Sequence, residues 1–196
     1  MNPSPKSRAL FLDRDGVVNH EVGYLYRPSD VRWVEGIIPL CQAAQSLGYK
    51  LVVVTNQAGI ARGFYTEQDF DSLMHFMRSE LSQHNITLDA VYHCPYHPEG
   101  LGEYRRDHED RKPSPGMLLR AARDLSLDLT QSILIGDRCS DIAAANAAGL
   151  KQAFLLRGTE ESPCPGAAPE VASLAEVEAW IQAQPLPSTQ PQSNAD

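Results

Sequence analysis

The stretch Phe11-Leu12-Asp13-Arg14-Asp15-Gly16-Val17-Val18 places two carboxylates two residues apart, between a short apolar run and a glycine. The run from Ala9 to Leu12 predicts a buried strand, and Gly16 predicts the sharp turn that follows it. Open α/β sheets bind their ligands at the carboxyl ends of their strands, which is where Asp13 and Asp15 would lie. Negative charge grouped there needs a cation or a proton to offset it. The pair therefore predicts a metal site, a general acid, or both, although an exposed acidic turn would look the same in isolation.

A second apolar run ends in side chains suited to a phosphate. Leu51-Val52-Val53-Val54 predicts another buried strand, and Thr55 and Asn56 follow it. A threonine hydroxyl at a strand end can donate to a phosphate oxygen, and the backbone N–H groups after it can add donors. The simpler alternative is that Thr55 only caps the next turn.

Two charged segments farther along could serve the same site. Arg111 and Lys112 come just before a predicted helix, where lysine could hold a phosphate as a point charge and arginine as a planar fork, although an isolated basic pair is usually solvated. Asp137 follows the apolar run 132–136 and could complete the coordination of Mg²⁺, which favours carboxylate oxygens. Asp141 lies about one helical turn beyond it, and could orient a neighbour or act only as a first-turn helix acid.

Strand-like and helix-like patterns alternate along the chain. Apolar runs predict strands at 8–13, 51–55, 89–94, 132–136 and 152–156. Helical stripes lie between them, and one is entered through Thr66-x-x-Asp69, a capping pattern. A last amphipathic helix is predicted over 173–183, capped by Ser173-x-x-Glu176. This alternation predicts an α/β protein with a doubly wound parallel sheet, whose carboxyl edge carries the polar residues described above.

Together and in this order, the four polar segments resemble the haloacid dehalogenase (HAD) superfamily of phosphotransferases. Its pattern is DxD, a strand-end Ser or Thr, a Lys, and an acidic GDxxxD, and the matching residues here are Asp13, Asp15, Thr55, Lys112, Asp137 and Asp141. The segments 11–19, 55–63 and 111–117 further resemble the D-glycero-D-manno-heptose 1,7-bisphosphate phosphatases. Histidinol-phosphate phosphatases of the same branch carry similar motifs.

The resemblance implies a HAD-like Rossmannoid fold of three layers, without a large cap domain, and the chemistry of a magnesium-dependent phosphatase. Asp13 would attack phosphorus and form an aspartyl-phosphate, and Asp15 would act first as general acid and then as general base. Mg²⁺ would be held by Asp13, Asp137 and the backbone carbonyl of Asp15.

The resemblance also implies which residues bind the substrate. Thr55, Asn56 and Lys112 would hold the phosphoryl oxygens, and Arg111 and Arg62 would bind the sugar or a second phosphate. The expected reaction removes the C7 phosphate of D-glycero-D-manno-heptose 1,7-bisphosphate, a step toward lipopolysaccharide precursors. Histidinol phosphate or another small sugar phosphate is the alternative substrate, and a non-enzymatic binding protein on the same fold is the third hypothesis.

The chain departs from the branch at a zinc loop, which most members form from a C-x-H pair and a C-x-C pair before Arg-Lys-Pro. Here Tyr96 stands in place of the first histidine, and His108 and Asp110 stand in place of the two later cysteines. Cys94, His97, His108 and Asp110 could still bind zinc, but a structural zinc site is usually rich in cysteine. We therefore expect no structural Zn²⁺ and a loop held by hydrogen bonds and proline packing.

Near the acidic motif, the chain has Arg138 where the family commonly has lysine.

Length and composition restrict the remaining possibilities. The 196 residues suit one domain over 1–184, followed by a disordered tail over 185–196. A net charge of −8 argues against a general nucleic-acid binder, and no apolar stretch could span a membrane. The four cysteines show no disulfide-framework spacing, which favours a reducing cytoplasm. We expect a cytoplasmic monomer whose partner is a small phosphorylated sugar.

Overall fold

The structure, a computed structural model, describes residues 6–157, 164, 166 and 168–184. The predicted disordered tail over 185–196 lies outside these residues. The single domain over 1–184 stays a prediction. Within the described part of the chain, no helix is both long enough and apolar enough to cross a membrane.

The described strands form one parallel sheet in the order β3-β2-β1-β4-β5-β6. Their bounds are Arg8–Leu12 (β1), Tyr49–Asn56 (β2), Leu88–Cys94 (β3), Ile133–Gly136 (β4), Gln152–Leu156 (β5) and Glu170–Val171 (β6). The five predicted strands are confirmed with shifts of one or two residues at their ends. The sixth strand escaped prediction because two residues are too few to produce a recognisable apolar run.

Six α-helices connect and flank the strands in the described residues. Their bounds are Ile37–Ser46 (α1), Ala58–Ala61 (α2), Glu67–Gln83 (α3), Gly116–Asp124 (α4), Cys139–Ala148 (α5) and Leu174–Gln182 (α6). Thr66 and Asp69 form the predicted reciprocal capping box at the start of α3. The cap predicted at Ser173 is wrong in detail, because its side chain makes no capping bond and Glu176 instead accepts from the backbone N–H of Ala172.

Both faces of the central strands β1, β2 and β4 are buried, which explains why these strands are largely apolar. Successive side chains of a strand point to opposite faces, so Leu10 and Leu12 pack with helices α1, α3 and α6, whereas Ala9 and Phe11 pack with α4 and α5. The alternation of strands and helices predicted the doubly wound parallel sheet, and the resemblance to the HAD superfamily implied the three layers observed here.

The strand order brings the ends of β1, β2 and β4 together. Leu12, the last residue of β1, pairs with Val53 of β2 on one side and Ile135 of β4 on the other. The chain runs outward from β1 through β2 to β3 in one direction, and through β4, β5 and β6 in the other. Ligands of open α/β sheets bind at such a switch point, and Asp13 is the first residue beyond it.

The cysteine spacing showed no disulfide framework, but the structure contains one disulfide bond. The sulfurs of Cys139 and Cys164 lie 2.02 Å apart in a disulfide that joins the start of α5 to a segment 25 residues later. Cys41 and Cys94 are free and buried. One isolated bond between distant residues leaves no repeated spacing in the sequence, and spacing was the only signal available.

Candidate active site

A cavity of about 590 Å³ opens at the carboxyl edge of the sheet. It is lined by every residue predicted for catalysis or substrate binding, namely Asp13, Asp15, Thr55, Asn56, Arg111 and Lys112. Asp13 directly follows β1, and its backbone N–H continues the sheet by donating to the carbonyl of Ile135. Asp141, from the acidic motif after β4, also lines the cavity, so four segments that are far apart in the chain meet at one place, as the motif order predicts.

Lys112 lies buried between two carboxylates at the floor of the cavity. Its Nζ is 2.8 Å from Asp13 Oδ1 and 2.5 Å from Asp141 Oδ1. It also donates to the backbone carbonyl of Val54, at the end of β2. Three oxygens thus fix the ammonium group beside the carboxylate that is expected to attack phosphorus. Asp141 orients a neighbour, which is one of the two roles that its position in the sequence allowed.

Three carboxylates form a group able to hold a cation. Among the described residues, Asp13, Asp137 and Asp141 are the one set of three or more acidic, histidine or cysteine side chains whose ligand atoms all lie within 4.8 Å of one another. Asp137 Oδ1 is buried without a hydrogen-bond partner, as expected of an oxygen that serves a metal. The side chain of Asp15 is not in this group, and only its backbone carbonyl was expected to contribute.

The glycine of the first motif makes room for this group. Gly16 has a φ of +89°, and a Cβ built on it would come within 2.2 Å of Asp137 Oδ2. Any other residue would both strain the backbone and displace the Asp137 carboxylate. The turn after β1 and the position of Asp137 therefore depend on each other.

The buried charges shift one another's ionisation. Burial raises the pKa of Asp13 to about 7, with Asp141 adding to the rise and Lys112 opposing it. Burial, reinforced by Asp141, raises the pKa of Asp137 to about 6. Burial would lower the pKa of Lys112, but the carboxylates of Asp13 and Asp141 outweigh it and raise that pKa above its ordinary value. One lysine faces three carboxylates, and a divalent cation would offset the remaining negative charge.

Asp15, the expected general acid and base, is held by several donors. Arg14 is wholly buried and forms a two-pronged ion pair, with Nε donating to Oδ1 at 3.1 Å and Nη2 to Oδ2 at 2.8 Å. Asn19 Nδ2 donates to Oδ1 at 3.0 Å, and Gln57 Nε2 donates to Oδ2 at 3.1 Å. The carboxylate is thereby fixed at the wall of the cavity, next to the nucleophile.

Asn56 contacts the backbone of Lys112 rather than presenting a free amide to the cavity. Its Nδ2 donates to the carbonyl of Lys112 at 2.9 Å, and its Oδ1 accepts from the Lys112 N–H at 3.0 Å. This pair of bonds joins the end of β2 to the loop before α4. Asn56 therefore positions the lysine, and its binding of a phosphoryl oxygen stays a prediction.

Three arginines stand at the rim of the cavity. Arg62 donates to the hydroxyl of Tyr24 at 2.6 Å, Arg111 donates to the carbonyl of Tyr96 at 3.3 Å, and Arg138 lies 3.4 Å from a carboxylate oxygen of Glu21. Burial, and secondarily the charges of Arg62 and Arg138, lower the pKa of Arg111. Cations that are close enough to repel one another would be stabilised by an anionic ligand.

The altered loop is organised by aromatic and ionic contacts. The ring of Tyr96 stacks on His108 at 4.5 Å, and Arg106 covers the same tyrosine at 4.0 Å. Asp110 is buried and accepts from Arg120 at 2.6 Å. Cys94 makes a weak contact with the carbonyl of Tyr96, and His97 Nδ1 accepts from the backbone N–H of Glu99. That this loop binds no structural zinc stays a prediction.

Sequence reasoning missed four residues that shape the site, namely Arg14, Asn19, Gln57 and Tyr65. Arg14 stands between the two acids of the first motif, where an exposed arginine would be the ordinary expectation. Gly16 predicted the turn, but no local pattern reveals that this turn buries Arg14 against Asp15. Gln57 and Tyr65 are eight residues apart and meet only because the short helix α2 reverses the chain between them.

Comparison with known proteins adds to this geometry. A family model described as HAD-hydrolase-like matches residues 110–176. A D-glycero-alpha-D-manno-heptose-1,7-bisphosphate 7-phosphatase of Burkholderia mallei is 47% identical over 152 residues, which cover 77% of this chain and 80% of that protein. The chain belongs to the heptose-bisphosphate phosphatase family of HAD-like hydrolases. The predicted family and the predicted enzyme class are confirmed.

Further proteins are similar to this chain in sequence or in structure. A D-glycero-beta-D-manno-heptose-1,7-bisphosphate 7-phosphatase of Haemophilus influenzae is 42% identical over 151 residues, 77% of this chain and 82% of that protein. A HAD-like phosphatase structure from Mesorhizobium loti superposes with a TM-score of 0.82 at 36% identity, covering 91% and 87% of the two chains. The D,D-heptose 1,7-bisphosphate phosphatase of B. bronchiseptica, solved with magnesium and phosphate, gives 0.78 at 26% identity, covering 89% and 97%. These structures confirm the α/β HAD-like fold.

Proposed function

We propose that this chain hydrolyses the C7 phosphate of D-glycero-D-manno-heptose 1,7-bisphosphate through an aspartyl-phosphate. The observation that carries the proposal is the burial of Lys112 against Asp13, beside Asp137 and next to an anchored Asp15. The arrangement pairs a carboxylate nucleophile with a cation for the phosphoryl group and a second acid for the leaving group. The names of the related proteins supply the substrate.

The chemistry then follows from the roles of the side chains. Asp13 attacks phosphorus in line, and the bond from phosphorus to the C7 oxygen breaks. The departing alkoxide takes a proton from Asp15, which then removes a proton from the water that cleaves the aspartyl-phosphate. Inorganic phosphate leaves and Asp13 is regenerated. Lys112 and Thr55 stabilise the negative charge on the transferring phosphoryl oxygens.

The acidic group fits a magnesium ion. Asp13 and Asp137 offer carboxylate oxygens, one of them buried and without a partner, and oxygen ligands of this kind suit Mg²⁺. Both oxygens of Asp141 are already engaged, Oδ1 by Lys112 and Oδ2 by the backbone N–H of Arg138, whereas Lys112 contacts only Oδ1 of Asp13. We therefore assign the ion to Asp13, Asp137 and the carbonyl of Asp15. When bound, the ion would neutralise charge between the carboxylate nucleophile and the anionic substrate.

The arginines at the rim support a substrate with a second phosphate. Arg111 and Arg62 line the same cavity as the proposed catalytic residues. Arginine binds phosphate through a planar, two-pronged contact, which suits recognition better than a single point charge. Related proteins are named for the alpha and for the beta anomer, so both anomers are to be tested.

A cytoplasmic location is part of the proposal, because a charged sugar phosphate does not cross a bilayer unaided and is used where it is made. In that compartment the disulfide between Cys139 and Cys164 would meet reducing conditions. We propose a monomer as well. Light scattering of the purified protein would test that part.

Steady-state kinetics with Mg²⁺ test the proposed substrate. The expected result is a kcat/KM for one anomer of the heptose 1,7-bisphosphate that exceeds the value for histidinol phosphate by at least about a hundredfold, a difference of about 2.7 kcal/mol in transition-state binding. Equal values, or a preference for histidinol phosphate, would contradict the proposal.

A further inference from the structure

Gln57 has a contact at each polar end of its side chain, and the reaction steps above assign it no role beyond helping to hold Asp15. It lies between β2 and α2 and is buried. Its Nε2 donates to Thr55 Oγ1 at 2.8 Å and to Asp15 Oδ2 at 3.1 Å. Its Oε1 accepts a short hydrogen bond from the hydroxyl of Tyr65. One amide thus bridges a residue that binds the phosphoryl group and the residue that exchanges protons.

The orientation of this amide is dictated by charge. A carboxylate only accepts hydrogen bonds, so the end of Gln57 that faces Asp15 must be the NH₂ group. The oxygen of the amide must then face Tyr65, whose hydroxyl serves as the donor. Tyr65 is itself buried and stacks on Tyr26, with ring centroids 5.6 Å apart. The ring packing therefore holds the hydroxyl, and the hydroxyl holds the amide.

This orientation determines what Thr55 can do. Because Thr55 Oγ1 accepts from Gln57, its own hydroxyl proton is left to point elsewhere. Thr55 lines the cavity beside Asp13, where a phosphoryl oxygen would be the acceptor. Without Gln57, the Thr55 hydroxyl could rotate and donate its hydrogen bond to a protein acceptor instead of to the substrate. The amide thus prepares a donor before the substrate arrives.

We propose that Gln57, fixed by Tyr65, is a positioning residue that aligns Thr55 with the phosphoryl group and Asp15 with the leaving group in the same step. The proposal rests on the proposed phosphatase function. Arg14 and Asn19 also donate to Asp15, so Gln57 shares the task of holding that carboxylate. In the described part of the chain, Gln57 is the one residue whose side chain donates to the hydroxyl of Thr55. Neither Gln57 nor Tyr65 needs to touch the reacting atoms.

Two variants separate the two links of this chain of contacts. Gln57→Met keeps the length of the side chain and removes both donors, and Tyr65→Phe removes only the hydroxyl and keeps the ring. We expect Gln57→Met to lower kcat roughly 10- to 100-fold, as outer-shell partners of catalytic groups do, with KM changed less than about threefold. Tyr65→Phe should lower kcat by less. Tyr92→Phe is the control, because its hydroxyl bonds Asp124 away from the cavity.

The double variant provides the sharpest test. If Tyr65 acts only through Gln57, Tyr65→Phe should cause no further loss of kcat in the Gln57→Met background. Multiplicative losses would show that the two residues act separately and would overturn the proposal, as would a Gln57→Met enzyme with the wild-type kcat. Tyr65→Phe preserves the packed ring, so the kcat of this variant still tests the proposal if Gln57→Met fails to fold.

The leaving group separates the two tasks of Gln57. An aryl phosphate such as 4-nitrophenyl phosphate releases a stable anion and needs Asp15 less, whereas a sugar phosphate needs it fully. Gln57→Met should therefore lose more activity on an alkyl phosphate than on the aryl phosphate. Equal losses would contradict the link to Asp15. A wild-type enzyme that hydrolyses the aryl phosphate but not the heptose bisphosphate would refute the proposed substrate, and the Gln57 test would still proceed on glycerol phosphate or another alkyl phosphate that the enzyme accepts.

Discussion

Lys112 Nζ lies 2.8 Å from Asp13 Oδ1, although 99 residues separate the two in the chain. Both side chains are almost completely buried, and Asp141 approaches the same ammonium from the other side. This contact joins the end of β1 to the loop before α4, so we expect the stability of the fold to depend on the same charges that we propose for catalysis.

Removing the lysine should therefore damage both properties. Lys112→Met leaves Asp13 and Asp141 facing each other without a cation, and breaking a buried ion pair in this way costs about 3–5 kcal/mol. We expect a lower unfolding temperature together with loss of turnover, measured by thermal denaturation and steady-state assay. Lys50→Met is the control, since Lys50 pairs with Asp89 in a partly exposed position. An unchanged unfolding temperature for Lys112→Met would contradict the account.

The stabilising effect of Mg²⁺ should depend on pH. The folded protein holds the pKa of Asp13 at about 7 and that of Asp137 at about 6, both above the ordinary value of 3.8. The folded state then binds more protons than the unfolded state between those values, so these two groups make the metal-free protein less stable as the pH rises from about 4 to about 7. A cation competes with the same protons.

We accordingly expect Mg²⁺ to raise the unfolding temperature more at pH 8 than at pH 5. At a hundredfold excess over its Kd, a ligand that binds only the folded state adds about 2.7 kcal/mol to the free energy of unfolding. Asp137→Asn should remove most of this effect. Equal stabilisation at the two pH values, or full stabilisation in Asp137→Asn, would show that the ion binds elsewhere.

Substitutions of Asp13 and Asp15 should affect the two steps of the reaction differently. Asp13→Asn removes the nucleophile, so turnover and the phosphoenzyme should vanish together. Asp15→Asn should chiefly remove acid and base catalysis, and with an aryl phosphate the first step can survive, so that phosphoenzyme accumulates. Rapid quenching with labelled substrate distinguishes these results. Near-native turnover in Asp13→Asn would exclude the proposed chemistry.

Much of this site could be predicted from the sequence, because several of its polar residues lie at the ends of apolar runs that form strands. Asp13, Thr55 and Asp137 each end or follow an apolar run, and parallel strands bring such ends to one edge. Asp141 had two possible roles, and only the structure shows that it contacts Lys112. The arrangement of Gln57 against Asp15 spans 42 residues, and the sequence carries no signal that joins them.

The altered loop illustrates a second limit. The sequence of the loop indicated four possible zinc ligands, namely Cys94, His97, His108 and Asp110. It did not indicate that Asp110 pairs with Arg120, because that pair depends on how α4 packs beside the loop. The disulfide of Cys139 was missed for a similar reason, since its partner lies in a distant segment. Long-range pairs of this kind are set by tertiary packing rather than by local spacing.

The loop should hold its shape without zinc. After treatment with a chelator, elemental analysis of the purified protein should show zinc well below one atom per chain, with activity in Mg²⁺ retained. Arg120→Ala leaves the Asp110 carboxylate buried without its partner, and we expect it to destabilise the protein by about 1–3 kcal/mol. Stoichiometric zinc that is lost on changing Cys94 and His108 would contradict this prediction.

Arg111 should matter more for a bisphosphate than for a monophosphate. Arg111→Lys keeps a positive charge and loses the planar fork, so it should raise KM for the heptose 1,7-bisphosphate roughly tenfold and change KM for the matching 7-phosphate much less. Arg105→Lys, outside the cavity, serves as the control. The same rise in KM for both substrates would place Arg111 at the transferred phosphate instead.

If Asp13 removes the C7 phosphate of a heptose bisphosphate, as proposed above, the position of cleavage will show it. The heptose 1,7-bisphosphate, as each anomer, is incubated with enzyme and Mg²⁺, and the products are followed by ³¹P NMR, with Asp13→Asn as the blank. We expect loss of the C7 phosphomonoester signal, growth of inorganic phosphate, and an intact C1 phosphate. Release from C1, or hydrolysis that persists in Asp13→Asn, would contradict the proposal.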